Sequence, residues 1–232
     1  MQFFGTMGLP KTKHTFGGNK MGKYVVIDLE MCAVHNKKNK QIFNSGTELI
    51  QIGAVILDQD YRIVDTYSTY VCPEFGSIDR YINRLTGIST KDTLNAQKSN
   101  EALADFAEWL PADATMVAWS ECDEIQIKKE LDGKGIDNPK LRATFGHWID
   151  CQALFGQRME NERKYKLSEA LLITGLWSDG KAHDALIDAR NTAYVFAKLE
   201  QEECIRPNYL YMSEKDAHSY VFNPFARYCN AY

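Results

Sequence analysis

The sequence contains no long hydrophobic run. Its longest apolar stretches, such as Tyr24 to Ile27 and Ala54 to Leu57, are far shorter than the roughly 18 residues that a membrane-spanning helix needs. The N-terminus also lacks the apolar stretch behind a basic start that defines a secretory signal. We therefore expect no membrane association and a cytoplasmic location.

The sequence also lacks a disulfide pattern and an excess of charge of one sign. Its six cysteines are scattered without a C-x-x-C pair, so we expect reduced, mostly buried thiols. Lys and Arg number 27 against 31 Asp and Glu, which gives a net charge of −4. This balance excludes a globally basic nucleic-acid binder. It does not exclude a nucleic-acid substrate, because binding depends on the local charge.

The composition along the chain suggests one domain with two flanking segments. Residues 1–22 are rich in glycine and predict a flexible leader or extension. No linker interrupts residues 23–202, which are long enough to form one domain. Residues 203–232 are rich in tyrosine and phenylalanine, which favours packing on the domain or on a second copy in a homodimer.

The hydrophobic pattern predicts an α/β fold. Five segments have the β-branched, apolar composition of strands, namely Tyr24–Glu30, Glu48–Leu57, Tyr61–Val71, Thr115–Trp119 and His147–Cys151. Three segments have helical spacing, namely Ser99–Leu110, Glu124–Leu131 and Ala185 to about Glu202. Three strands followed by alternating helices and strands predict a mixed sheet with helices on both faces.

A basic segment follows the first strand. His35 to Gln41 carries Lys37, Lys38 and Lys40 and is predicted to be a polar loop. Its lysines could hold substrate phosphates near a cleft, or the loop could simply be solvated.

Acidic residues stand at the ends of predicted elements. Asp28 and Glu30 are two apart on the first strand, so both point to one face, about 7 Å apart. Asp123 follows another strand. It could lie beside these two acids, or it could be a helix N-cap. His183 and Asp188 converge best if His183 lies in a loop and Asp188 in the first turns of the last helix. Ordinary roles, a loop histidine and a first-turn acid, remain open for these two.

In this order the motifs resemble those of the DEDDh branch of the DnaQ-like 3′–5′ exonucleases, which have a ribonuclease H-like fold. The segments 28–30, 119–123 and 183–188 are similar to the three motifs of that family, and 50–55 and 85–88 extend the likeness over about residues 23–200. The segments 28–32 and 85–88 look most like the three-prime histone mRNA exonuclease and KapD-like branch, whose better-known members act on RNA.

Some positions depart from the family pattern. Ser120 stands where glycine is usual, and Glu121 and Glu124 flank Asp123, so more than one acid could be the third ligand. The tyrosine branch of the family would need a tyrosine where Asp184 stands, which leaves the histidine version.

The resemblance implies a ribonuclease H-like, mixed five-stranded sheet and a site with two divalent cations, Mg²⁺ or Mn²⁺. Asp28, Glu30 and Asp188 would hold the ion that activates water, Asp28 would also bridge to the second ion, and Asp123 would act mainly through its water shell. His183 would take the proton of the water.

The same resemblance implies a substrate. Met31 and Leu85 match positions that contact the terminal base, and Thr86 matches one near the sugar, although ordinary packing could also explain all three. The expected activity is 3′–5′ hydrolysis of single-stranded RNA or short oligonucleotides to nucleoside 5′-monophosphates. The alternatives are a DNA exonuclease of the proofreading or repair type and, less favoured, a non-catalytic nucleic-acid-binding scaffold.

Overall fold

The computed structural model describes residues 24–161 and 163–208. The predicted leader, residues 1–22, and the aromatic side chains of the C-terminal extension lie outside the described residues. Of that extension, Ile205 is buried in the core, and the N–H of Asn208 donates to the carbonyl of Ile173 at 2.7 Å. The division into leader, domain and extension stays a prediction.

The described residues form one mixed sheet. Its strands are β1 (Tyr24–Ala33), β2 (Thr47–Leu57), β3 (Ile63–Tyr70), β4 (Thr115–Ala118) and β5 (Ile149–Asp150). The order across the sheet is β3-β2-β1-β4-β5, with β1 antiparallel to β2 and parallel to β4. The predicted mixed, five-stranded sheet is confirmed.

Helices cover both faces of this sheet, as predicted. They are α1 (Lys37–Phe43), α2 (Arg80–Thr86), α3 (Thr90–Thr93), α4 (Ser99–Trp109), α5 (Cys122–Gly133), α6 (Pro139–Arg142), α7 (Cys151–Arg158), α8 (Leu167–Thr174) and α9 (Ala185–Gln201).

The central strand β1 contributes side chains to the hydrophobic core on both faces of the sheet. Successive residues of a strand point to opposite faces. Val25 and Ile27 belong to one core cluster, which includes Phe106 of α4. Val26 belongs to a second cluster, which includes Phe196 of α9. This alternation places Asp28 and Glu30, like Val26, on the face that α9 covers.

The prediction that His35 to Gln41 is a loop is wrong, because most of this segment belongs to α1. The side chain of Asn36 caps the helix by accepting the N–H groups of Lys38 and Asn39, at 2.9 and 3.2 Å. Phe43 anchors its other end in the core. The lysines of α1 are not among the residues that line the cleft described below.

Smaller differences lie at the element ends. The β2–β3 turn is longer than predicted, because the Asp58 N–H donates to the Arg62 carbonyl and Tyr61 adopts a φ of 59°. Leu85 and Thr86 form the last turn of α2, which ends at Gly87 with a φ of 84°.

Two expectations from composition can be compared with the described residues. None of the helices within residues 24–161 and 163–208 combines the length and the hydrophobicity that a bilayer-spanning segment needs. Of the described cysteines, Cys32, Cys72, Cys122 and Cys151 are free thiols. Cys32 and Cys151 are buried, but Cys122 is exposed and Cys72 and Cys204 are only half-buried, so the expectation of mostly buried thiols is wrong for this part of the chain.

Candidate active site

The first two acids lie near the middle of β1, on the face covered by α9. Asp28 pairs with Gly53 of β2, and Glu30 pairs with Gln51, after which the register shifts at a bulge between Glu30 and Met31. Bulges often occur beside functional sites, where they redirect a strand. Strand alternation thus directs both carboxyl groups towards the N-terminal part of α9.

Asp123 lies in the first turn of α5, but it is not the N-cap, a position that Glu121 occupies. Its Oδ1 accepts the backbone N–H of Leu29 at 3.1 Å, and its side chain is buried against β1. Of the neighbouring acids, Glu121 is exposed, and Glu124 accepts the N–H of Gly146 and pairs with a lysine of its own helix. Among these three acids, the structure places Asp123 beside Asp28 and Glu30.

A buried ionic network holds the other end of α5. Lys134 Nζ lies 2.6 Å from Glu48 Oε1 of β2, 2.9 Å from Glu130 Oε2 and 2.7 Å from Ser99 Oγ. Glu130 also accepts the N–H of Leu49 at 2.7 Å. Since both carboxylates are fully buried, this network fixes α5 against β2 and thereby positions the turn that carries Asp123.

His183 lies in the loop before α9, and Asp188 lies in the first turn of that helix. Their spacing in the sequence favoured this arrangement. His183 has a φ of 65°, and its N–H donates to Asp188 Oδ2 at 2.7 Å. Asp184 is the N-cap of α9 and accepts the N–H groups of Leu186 and Ile187. One ligand atom from each of Glu30, His183 and Asp188 lies within 4.8 Å of the others.

Two residues of β2 bring α9 onto the sheet. A Cβ at Gly53 would lie 2.1 Å from the carbonyl carbon of Ala185, so only glycine allows this approach. Gln51 Oε1 accepts the N–H of Ala185 at 3.2 Å. Because Gly53 and Gln51 are the register partners of Asp28 and Glu30, the same two rows of the sheet carry the acids and dock the helix.

The clustered acids strongly affect one another. Burial, and then the charges of Asp123, Asp188 and Glu30, raise the pKa of Asp28 well above its ordinary value. Burial and the charges of Asp188 and Asp123 raise the pKa of Glu30 to about 8. Burial raises the pKa of Asp123 to about 7 and also raises that of Asp188.

These shifts follow from burial of the four carboxyl groups and, for Asp28 and Glu30, from the charges of the neighbouring acids. Among the described residues, no lysine or arginine forms an ion pair with any of them. A set of carboxylate oxygens is what hard divalent cations bind, and such cations would remove the repulsion. The residues therefore fit a divalent-metal site.

Three of the four acids line an open cleft of about 810 Å³, and Asp123 is buried beside it. Asp28, Glu30, Asp188 and His183 contribute to it, together with Met31. The other lining residues are Leu29 of β1, Trp119 directly after β4, Asn191 of α9, and residues of α7, of the segment before α8, of α8 and of the loop before α9.

Two of the predicted substrate residues do not line this cleft. Leu85 and Thr86 belong to α2, and the Thr86 hydroxyl donates to the carbonyl of Ile82 and accepts the N–H of Ile88. Their contact with substrate, like that of Met31, stays a prediction.

Sequence reasoning did not assign roles to several residues of the site. A glycine inside an apolar strand indicates a close backbone approach, so Gly53 carried a usable signal. The Lys134 network joins residues far apart in the sequence. Trp177, which also lines the cleft, stands in a loop without a motif. Neither could be found from local patterns.

Comparison with known proteins agrees with this geometry. The chain is 27% identical over 195 residues to the 3′-5′ exonuclease Snipper of Drosophila melanogaster, covering 75% of this chain and 66% of Snipper. It is 26% identical over 204 residues to ERI1 exoribonuclease 2 of Danio rerio, covering 78% of this chain and 35% of that protein. The chain therefore spans less than two thirds of the length of these relatives.

The fold is also similar to that of a solved nuclease. The nuclease domain of 3′hExo, a DEDDh family member solved with bound rAMP, superposes with a TM-score of 0.68 at 21% identity. The match covers 80% of this chain and 96% of that one. A family model described as exonuclease, RNase_T, matches residues 25–196, which include all four acids and His183. The chain belongs to the RNase_T exonuclease family.

Proposed function

We propose that this protein is a metal-dependent 3′–5′ exonuclease that hydrolyses single-stranded RNA or short oligonucleotides from the 3′ end and releases nucleoside 5′-monophosphates. The observation that carries the proposal is the convergence of Asp28, Glu30, Asp188 and His183 at one open cleft, with Asp123 buried beside them. A non-catalytic scaffold has no need of this complete set.

The four acids would hold two divalent cations, Mg²⁺ or Mn²⁺. Such ions supply charge stabilisation for the phosphoryl group and an activated water. Asp28 is the central ligand in this proposal, because the charges of the other three acids all act on it. Asp123 already accepts the Leu29 N–H through one oxygen, which leaves the other for a ligand or a bound water.

His183 is the proton acceptor in this proposal. It is exposed to the cleft and lies beside Glu30 and Asp188. Histidine exchanges a proton near neutral pH, as deprotonation of an attacking water requires. In the hydrolysis, the water oxygen bonds to phosphorus, and the 3′ oxygen of the preceding nucleotide leaves and takes up a proton.

RNA is the favoured substrate because several relatives, such as ERI1 exoribonuclease 2, are named exoribonucleases. The DNA alternative makes the opposite prediction about the sugar. A protein that recognises the 2′-hydroxyl cleaves RNA faster than matched DNA.

The cytoplasmic location is likewise our proposal, and microscopy of the tagged protein would test it.

The test is hydrolysis of 5′-labelled single-stranded RNA and matched DNA with Mg²⁺, Mn²⁺ or EDTA. We expect a one-nucleotide ladder that requires the metal. His183→Asn should reduce the rate by about 10²- to 10⁴-fold, the typical contribution of a general base. Asparagine is a suitable replacement because it tolerates the left-handed conformation of this position.

Two results would contradict this function. Oligonucleotide binding without a ladder under any metal condition would favour the scaffold. A ladder that persists unchanged with His183→Asn would remove the histidine from the mechanism.

A further inference from the structure

A second part of the cleft is lined by cationic and apolar side chains. We call it the basic-aromatic wall and define it as Lys164, Lys166, Leu172 and Trp177, all of which line the same cleft as the acids. Trp177 is 88% exposed, the largest value among the large hydrophobic side chains of the described residues. Leu172 is 38% exposed. An exposed tryptophan in a cleft is an unpartnered apolar surface that a ligand can cover.

The loop that carries Trp177 is fixed relative to the acids. On one side of it, the N–H of Leu176 donates to a carbonyl of α8 at 2.9 Å. On the other side, the N–H of Asp179 donates to Asn191 Oδ1 at 2.9 Å. Asn191 lies on α9 about one turn after Asp188, so the helix that carries an acid also holds this loop.

The two lysines are also held in place by their backbone. They flank Tyr165, which is buried and whose carbonyl accepts the indole N–H of Trp119 at 3.2 Å and the amide of Gln152 at 2.6 Å. Lys164 and Lys166 are both exposed. Within residues 24–161 and 163–208, neither forms an ion pair. Their charge is therefore available to an anion in the cleft.

A polynucleotide presents the two groups that this wall could bind. Single-strand-binding surfaces combine cations that follow the phosphates with aromatic rings on which bases stack. The wall offers both in a chain whose net charge is −4, beside acids that repel phosphate unless cations are bound. The local charge thus favours a phosphate strand along the wall.

We propose that Trp177 stacks on a nucleobase on the 5′ side of the scissile bond and that Lys164 and Lys166 bind the neighbouring phosphates. The inference rests on the proposed exonuclease function. The terminal base is predicted to bind beside Met31. The basic-aromatic wall would therefore bind the part of the strand that remains after the terminal nucleotide has been released.

The experiment is a double-mutant cycle between Trp177 and the substrate. RNA oligonucleotides that carry one abasic ribose at successive positions from the 3′ end are hydrolysed by the unmodified protein and by Trp177→Ala. With intact RNA, Trp177→Ala should reduce kcat/KM by about 5- to 150-fold, the effect of losing one stacked base. At one internal position, the abasic ribose should reduce kcat/KM for the unmodified protein and have little further effect on the variant.

A mononucleotide ester without a ring in its leaving group, adenosine 5′-monophosphate methyl ester, separates stacking from catalysis. It has no base beyond the scissile bond, so Trp177→Ala should hydrolyse it at the unmodified rate. Trp177→Phe should retain most of the activity on RNA, because it keeps a ring. Val64→Ala is the matched control, since Val64 is also exposed but lies on β3 near the other end of the sheet.

Loss of both activities to the same extent, or no coupling at any abasic position, would overturn the proposal.

Lys164→Gln and Lys166→Gln should each reduce the salt dependence of RNA binding, by about 0.7 in the slope of log K against log salt. An unchanged slope in both variants would exclude the two lysines. If the unmodified protein hydrolyses neither substrate, the proposed function fails. The double-mutant cycle is then measured by the anisotropy of labelled RNA on binding. If Trp177→Ala and the abasic positions show no coupling in this binding assay, the role of Trp177 is overturned.

Discussion

At the scale of single residues, the site depends on which of several neighbouring acids faces β1. Asp123 is buried and accepts the N–H of Leu29, while Glu121, two residues earlier, is exposed at the helix N-cap. The sequence left the choice between these acids open. Only the docking of α5, which depends on contacts distant in the sequence, decides it.

We expect Asp123→Asn to lower the exonuclease rate by at least about 10²-fold, since it removes a negative charge from the metal site. Glu121→Gln, the matched control, should leave the rate within about twofold of the unmodified protein, because Glu121 is exposed and its charge is not among the causes of the raised pKa of Asp28, Glu30 or Asp188. Rates on labelled RNA at saturating Mn²⁺ would show this. The reverse ranking would assign the ligand role to Glu121.

His183 shows what local sequence cannot predict. Its spacing from Asp188 correctly favoured a loop position, but nothing in the sequence indicated a φ of 65°. Outside glycine, such a conformation is uncommon and is stabilised by the surroundings. Here the hydrogen bond from its own N–H to Asp188 supplies part of that stabilisation.

At the scale of elements, the close contact between β2 and α9 assembles the site. Gly53→Ala should separate the two elements, because the new Cβ would lie 2.1 Å from the backbone of Ala185. Overpacking of this kind costs about 1–3 kcal/mol or more. For a chain of this size, each kcal/mol lowers the Tm by roughly 2–4 °C. A displacement of Asp188 by about 1 Å would reduce the rate by about 10²-fold.

Thermal unfolding and RNA hydrolysis, measured together, would test the effect of Gly53→Ala. Gly46→Ala is the matched control, because a Cβ at Gly46 would meet no atom within 4 Å and the residue does not have a positive φ. If Gly53→Ala had the Tm and the hydrolysis rate of the unmodified protein, the close contact between β2 and α9 would be needed neither for stability nor for activity.

The elements that the sequence predicted best are those with strong hydrophobic periodicity. The central strands and the last helix were placed within a few residues, because burial on β1, β2 and α9 dictates their pattern. Helix α1 was missed because it is only seven residues long, is largely exposed and depends on the cap at Asn36 and one buried side chain, Phe43. Short capped helices of this kind have little periodic signal.

At the scale of the whole molecule, the acids should make metal-free stability fall with rising pH. The folded protein keeps the Glu30 proton up to a pKa of about 8, whereas the unfolded chain releases it near the ordinary value of 4.5. Between these two values the native state binds more protons, so the free energy of unfolding decreases as pH increases. The contribution of Glu30 is fully present below pH 4.5 and is lost above pH 8.

Thermal unfolding in EDTA from pH 5 to 8 would measure this effect against Glu30→Gln. The variant should lose Tm less steeply as pH rises and should exceed the unmodified protein in Tm at pH 8, although it loses activity. Mg²⁺ or Mn²⁺ should raise the Tm of the unmodified protein, and more so at pH 8 than at pH 5. Parallel Tm curves for the two proteins would contradict the pKa shift of Glu30.

The site draws its residues from β1 near one end of the described chain, from α5 in the middle and from α9 near the other end. A growing polypeptide on the ribosome therefore carries an incomplete site until α9 has been synthesised and has docked on β2. Under the proposed function, such a nascent chain cannot hydrolyse the messenger from which it is being translated. The order of the elements thus delays nuclease activity until nearly the whole domain has been made.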